Sequence, residues 1–172
     1  MGNKRVPSGY TGKRTVNWKG VAAVACLVGV VVMVLCTNLG IRLIVVSGDS
    51  MSPTYESGEV LVAIPPTYVG DDYPVCWLKI GDSNVIKRLI GYPGDVVELR
   101  DGDTYVNGEI IMERDSEFYD NVTFELGDDQ YIFLGDNRDN SIDSRYWASP
   151  YVSSSQIMGV VPNSGLGKGG VK

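Results

Sequence analysis

Histidine is missing from this sequence altogether. Its absence removes the Ser-His-Asp triad and every zinc site that needs imidazole. Cysteine is almost as scarce, with three in the chain. Cys26 and Cys36 lie in an apolar run and Cys76 has no local partner, so no disulfide framework can form. Cys76 reads as a small buried hydrophobe. Acidic residues are absent from the first part of the chain: none of the 21 precedes Asp49.

What is present in that first part is positive charge followed by apolar length. Residues 1–19 carry five Lys or Arg, and residues 20–41 carry no charge. At 1.5 Å per residue the uncharged run makes about 33 Å of helix, enough to cross the hydrocarbon core of a bilayer. A basic tail before an apolar span predicts a cytoplasmic N-terminus and a translocated remainder. A cleaved secretory signal is the competing reading. The run is longer than a usual signal core, however, and no small-x-small site follows it before Arg42. The expected division is a cytoplasmic tail over 1–19, a transmembrane helix over 20–41, an extracytoplasmic domain over 42–162 and a Gly-rich, disordered tail over 163–172. The outer domain is acidic, which argues against nucleic-acid binding.

After residue 41 the chain reads as short strands separated by turns. IRLIVV continues from the apolar run, and EVLVAI (Glu59 to Ile64) reads as buried on both faces. PVCWLKI and NVIKRLI flank a hairpin turn at Gly81-Asp82-Ser83. DVVELR and TYVNGEII follow, with Asn107-Gly108 as a type I′ turn. NVTFEL and QYIFLG are joined by Gly127-Asp128-Asp129. Asn121-Val122-Thr123 matches the glycosylation acceptor pattern, a tripeptide too common to carry weight. The fold class expected is mainly β: an N-terminal transmembrane helix, then an antiparallel domain of hairpins in curled sheets or a partial barrel.

One stretch raises a chemical question. SGDSMSPT displays Ser50 at the end of a β-branched run, between flexible and rigid neighbours. A serine hydroxyl needs a base to become a nucleophile, and without histidine the candidate is a neutral lysine. An ordinary lysine, with a pKa near 10.4, is neutral in only about one molecule in 2,500 at pH 7. The base must therefore sit among apolar neighbours. Lys79 and Lys87 are both in the β region. Lys87 lies between Val85-Ile86 and Leu89-Ile90, and alternation would turn it inward while Arg88 faces solvent.

SGDSMSPT, IKRLIGYPGD (Ile86 to Asp95) and GDNRDNSIDSR (Gly135 to Arg145) occur in that order after one apolar span. Together they closely resemble type I signal peptidase, the membrane-bound Ser-Lys endopeptidase family, in its small Gram-positive-like form. The resemblance implies Ser50 as nucleophile and Lys87 as general base. It further implies that the Ser141 hydroxyl hydrogen-bonds the lysine, that Asp143 and Arg145 pair to brace the loop, and that Asp136 supports it. Met51 and Pro53 would shape the turn presenting Ser50. The implied reaction is removal of signal peptides from exported preproteins, with small residues first and third before the cut. The implied partners are preprotein signal peptides and the lipid bilayer, with the export machinery left open. No cofactor or metal is implied. Calcium in the 136–147 loop is disfavoured, because an EF-hand reading would put arginine at its third position and Trp147 at its twelfth.

The chain departs from the family pattern in three places. Gly48 stands where one branch carries a serine whose hydroxyl helps bind the oxyanion, so the hole would need the Ser50 N–H and another donor. Tyr73-Pro74 stands where a Gly-Asp pair is usual. The large inserted domain of longer members has no counterpart. Two other functions remain consistent with these residues: a Ser-Lys peptidase dedicated to one pilin-like or organellar substrate, and an inactive membrane-anchored binding protein. Self-cleaving repressors use the same dyad but need a DNA-reading domain where the apolar span lies.

Overall fold

The computed structural model describes residues 17–68, 72–113 and 121–162. Most of the basic tail and the whole Gly-rich tail over 163–172 lie outside the described residues.

Helix α1 runs Trp18–Asn38. Its start is capped by Asn17, whose Oδ1 accepts the Gly20 N–H at 3.2 Å, satisfying one of the orphan donors of the first turn. Its end is a Schellman motif. Gly40 adopts φ +72, and the N–H groups of Gly40 and Ile41 return to the carbonyls of Thr37 and Cys36. None of its 21 residues is buried, and it is long and apolar enough to cross a membrane.

The remaining described elements are β1 (Arg42–Val45), β2 (Val60–Ala63), β3 (Val75–Ile80), β4 (Ser83–Gly91), β5 (Val96–Arg100), β6 (Asp103–Val106), β7 (Glu109–Met112), β8 (Val122–Glu125), β9 (Ile132–Leu134) and β10 (Ile157–Val160), with three single-turn 3₁₀ helices. They form three open antiparallel sheets, ordered β1-β2, β10-β3-β4-β9 and β7-β6-β5-β8. The hairpin expected around residue 81 forms, with Ile80 opposite Ser83. Asn107 and Gly108 both take positive φ, as do Asp101 and Gly102, the mark of type I′ turns.

Three expectations are corrected. β2 is not buried on both faces: Leu61 and Ala63 point in while Val60 and Val62 are exposed, because the two-stranded sheet has one side uncovered. β8 and β9 are not partners either, since β8 pairs with β5 and β9 with β4. The turn at Gly127 instead passes the chain from one sheet to another. Arg88, finally, does not face solvent. It is 1% exposed, because both faces of the β4 sheet are covered.

Those covers are distinct. Ile90 packs with Val97, Phe124, Ile132 and Leu134 in one core. Leu89 packs with Cys76, Leu78 and Phe133 in a second, on the opposite face of β4. A third, of Val46, Met51, Leu61, Val75 and Val161, lies under the β1-β2 hairpin. Gly91 permits the passage from β4 towards β5: a Cβ there would lie 2.5 Å from Val97 Cγ2 and 3.1 Å from Leu126 Cδ2.

Candidate active site

Ser50 is presented by the loop between β1 and β2. Val46 closes that loop at its base through bonds to Glu59 and Gly58, and turns return Ser52 to Asp49 and Tyr55 to Met51. Met51 is fully buried in the core beneath, so the residue beside the serine acts as a hydrophobic pin. Gly48 has φ +82, a conformation that favours glycine. Its N–H is already engaged with Ser57 Oγ at 3.2 Å, and it offers no side chain to an oxyanion.

Lys87 comes from the middle of β4, directly opposite Cys76. Opposed residues share a face, and that face of the sheet also carries Leu89, packed with Cys76 and Phe133. Lys87 is 4% exposed, and its Nζ donates to Ser50 Oγ at 2.6 Å. Burial lowers the lysine pKa from its ordinary value, the charges of Asp143 and Asp136 oppose that shift, and Arg145 adds to it. Lys79 is elsewhere, at the hairpin turn, with Nζ on the Asp82 carbonyl at 2.8 Å.

The segment after β9 locks these two elements together. Asp136 accepts Arg88 Nε at 2.7 Å and Nη2 at 2.6 Å, and Thr54 Oγ1 at 2.6 Å. One carboxylate therefore joins the strand of Lys87 to the loop of Ser50. Asn137 adds its N–H to the Ser50 carbonyl and its side-chain amide to the Asp49 carbonyl, each at 3.0 Å. Gly135 must be glycine, since a Cβ there would sit 2.6 Å from the Ser50 carbonyl oxygen and against the Ser141 side chain. Asp143 and Arg145 pair, with Nε to Oδ1 at 2.8 Å, and Arg145 Nη2 also reaches the Arg138 carbonyl at 2.8 Å. Burial would raise the Asp143 pKa, but Arg145, the Gly135 N–H and the Ser141 hydroxyl together hold it below the usual carboxylate range.

Ser141 departs from expectation. Its hydroxyl donates to Asp143 Oδ2 at 2.8 Å, not to Lys87. The buried carboxylate is a strong, charge-assisted acceptor for the Ser141 hydroxyl. All eight expected site residues are accounted for: Ser50, Lys87, Ser141, Asp143, Arg145, Asp136, Gly48 and Met51 fall within this one region. Residues not singled out beforehand are Arg88, Thr54, Gly135 and Asn137. Gly135 and Asn137 stand in the GDNRDNSIDSR stretch and Arg88 beside Lys87, but nothing in the local sequence says what each touches.

Beside the dyad runs a groove of about 280 Å³ whose lining includes Ile44, Val45, Ser47, Trp77, Asn84 and Ile86. Two strand edges border it. β1 is bonded only to β2, and β4 over residues 83–87 is bonded only to β3, among the described residues.

Comparison with known proteins agrees with the motifs. The model of the family described as signal peptidase, peptidase S26, matches residues 18–164. This chain belongs to that family. Signal peptidase I S of Bacillus subtilis (strain 168) is 35% identical over 140 residues, covering 72% of this chain and 76% of that one. Signal peptidase I of Bacillus amyloliquefaciens is 32% identical over 139 residues, covering 72% and 75%. A crystal structure of a signal peptidase I from Enterococcus faecalis V583 aligns with a TM-score of 0.47 and 27% identity, over 54% of this chain and 97% of that one. Tyr73, ahead of the lysine hairpin, has a positive φ of 53. Its carbonyl accepts Arg88 Nη1 at 2.8 Å.

Proposed function

We propose that this protein is a membrane-anchored serine endopeptidase that removes N-terminal signal peptides from exported preproteins, with Ser50 as nucleophile and Lys87 as general base. The observation that carries the reading is the 2.6 Å contact between Ser50 Oγ and a buried Lys87 Nζ, in a chain of the signal peptidase family.

In the forward step Ser50 Oγ attacks the scissile carbonyl while Lys87 accepts its proton. The tetrahedral intermediate collapses when Lys87 passes that proton to the departing amine, leaving an ester on Ser50. Water, deprotonated by the same amine, hydrolyses the ester and regenerates the dyad. The Ser50 N–H has no partner among the described residues, which leaves it available to the oxyanion. Ser141, Asp143, Arg145 and Asp136 act by holding the loop and the strand in register.

The residues before the cut add as an extended strand between the open edges of β1 and β4. Ile44, Trp77 and Ile86 form shallow apolar walls that exclude bulky side chains. Helix α1 anchors the enzyme with its N-terminus in the cytoplasm, following the basic residues that precede it, and the β domain lies outside. The named relatives are signal peptidase I proteins, so a single-substrate peptidase or an inactive binding protein gains no support.

The test is cleavage of several preproteins by the detergent-solubilised protein, with each cut located by mass spectrometry. Cuts are expected after small-x-small sequences, in the wild type and in Lys79→Ala, and none with Ser50→Ala or Lys87→Ala. Near-normal turnover by Lys87→Ala would sink the dyad.

A further inference from the structure

The groove between β1 and β4 accounts for one side of a bound substrate. A second cavity, of about 290 Å³, is lined by Arg138, Asp139, Asn140, Ser141, Ile142 and Tyr146. Through Ser141 it adjoins the Ser50 loop, because Gly135 brings Ser141 and the Ser50 carbonyl against the same backbone point.

The chemistry of the leaving group gives this cavity a direction. The departing nitrogen belongs to the first residue after the cut, and it must reach Lys87 Nζ to be protonated. Leu89, two residues along β4 and so on the same face as Lys87, is packed into a closed apolar core with Phe133. The charged groups facing the lysine, Asp143, Asp136 and Arg145, all belong to the segment after β9. With the residues before the cut occupying the groove, the residues after it pass over that segment.

The surface they meet sets exposed Ile142 and Tyr146 beside exposed Asp139 and Asn140. Ser141, Asp143 and Ser144 are buried, while Ile142 between them is 73% exposed. Tyr146 stands beside it, also exposed, with its ring held by the Arg145 guanidinium 4.9 Å from the centroid. Arg145 is in turn fixed by Asp143, so the aromatic wall is braced by the catalytic loop itself.

We infer that Ile142 and Tyr146 form a subsite for an apolar side chain among the first residues of the mature protein. This rests on the reading of Ser50 and Lys87 as the catalytic pair, and it adds a preference after the cut to the one before it.

Two peptide series with identical residues before the cut separate the possibilities, one carrying Leu and the other Gly at each of the first four positions after it. The wild type is expected to favour Leu in kcat/KM at one of these positions by about three- to tenfold, less than an enclosed apolar pocket gives. Ile142→Ser and Tyr146→Ser are expected to bring that ratio close to one, while Ile110→Ser, on exposed β7, keeps it. A ratio near one at all four positions in the wild type overturns the subsite, as does a ratio unchanged in both variants. An equal loss of rate on the Leu and Gly series overturns it too, since that marks structural damage. A second measurement does not depend on turnover: Ser50→Ala protein is irradiated with a peptide carrying photo-leucine after the cut. Crosslinks are expected within residues 138–146. Crosslinks elsewhere overturn the subsite and leave the dyad standing. If the wild type cleaves no peptide and no preprotein, the dyad reading fails and the subsite falls with it.

Discussion

Burying the Lys87 amine disfavours its charged form at the expense of folding. Its pKa lies below the ordinary value because desolvation outweighs the nearby carboxylates. In the window between the lowered value and the ordinary one, the unfolded chain binds the extra proton, so stability rises with pH across that window. Lys87→Met, which keeps the shape and removes the charge, is therefore expected to raise the melting temperature at neutral pH. The gain should shrink as the pH approaches 10.5, the ordinary lysine value, and a calorimetric pH series reads this directly. The same sign governs catalysis. The working form is the neutral amine, so kcat/KM should climb with pH through the lowered pKa and fall toward acid. Lys87→Arg should be inactive, because guanidinium stays protonated. Ser141→Ala should cost less rate than Lys87→Ala, since its hydroxyl donates to Asp143 and the base itself is kept.

At the scale of elements, the segment after β9 does most of the positioning. Asp136 holds Arg88 and Thr54 together, and removing it leaves the Arg88 charge buried without its carboxylate. Asp136→Ala should cost about 3–5 kcal/mol of stability in urea unfolding, with activity lost in proportion to the loosened Ser50 loop. Asp143 sets an acid limit. Its lowered pKa contributes stability that is complete above the ordinary carboxylate range and lost as pH falls through the lowered value. The β1-β2 hairpin has a different burden. Leu43 opposes Val62 and Val45 opposes Val60, and all four side chains are exposed. Such a continuous aliphatic face signals an interaction surface. A protein truncated before residue 42 is expected to need detergent, and changing these four residues to Ser or Thr should lift that need while the fold, read by circular dichroism, persists.

For the molecule as a whole the predictions concern sidedness and independence. Protease applied outside spheroplasts should digest the β domain and spare a tag placed at the N-terminus, given five basic residues and no acid ahead of the span. A protected C-terminal tag beside an accessible N-terminal one would reverse the orientation. The residues from Cys36 onward form a compact unit of their own, so the truncated domain should unfold cooperatively and still cut peptides. An unfolded product in every detergent would mean that the boundary lies elsewhere.

Some of this was determined by the sequence alone. The missing histidine and the apolar context of Lys87 are local properties, and they point to lysine chemistry before any fold is known. The strand spacing and the Asn107-Gly108 turn likewise depend on neighbours along the chain, so the β class was legible. What touches what was not. Arg88 sits beside Lys87 in an alternating strand, and alternation alone sends it to solvent. Only the cover on the second face of β4, and the arrival of Asp136 from 48 residues away, make it a buried ion-paired group. The partner of Ser141 was hidden for the same reason. A hydroxyl takes whichever acceptor the packed loop brings nearest, and here that is Asp143 rather than the amine. The assignment of β8 and β9 to different sheets is a competition between strand partners across the whole domain, which no local pattern encodes.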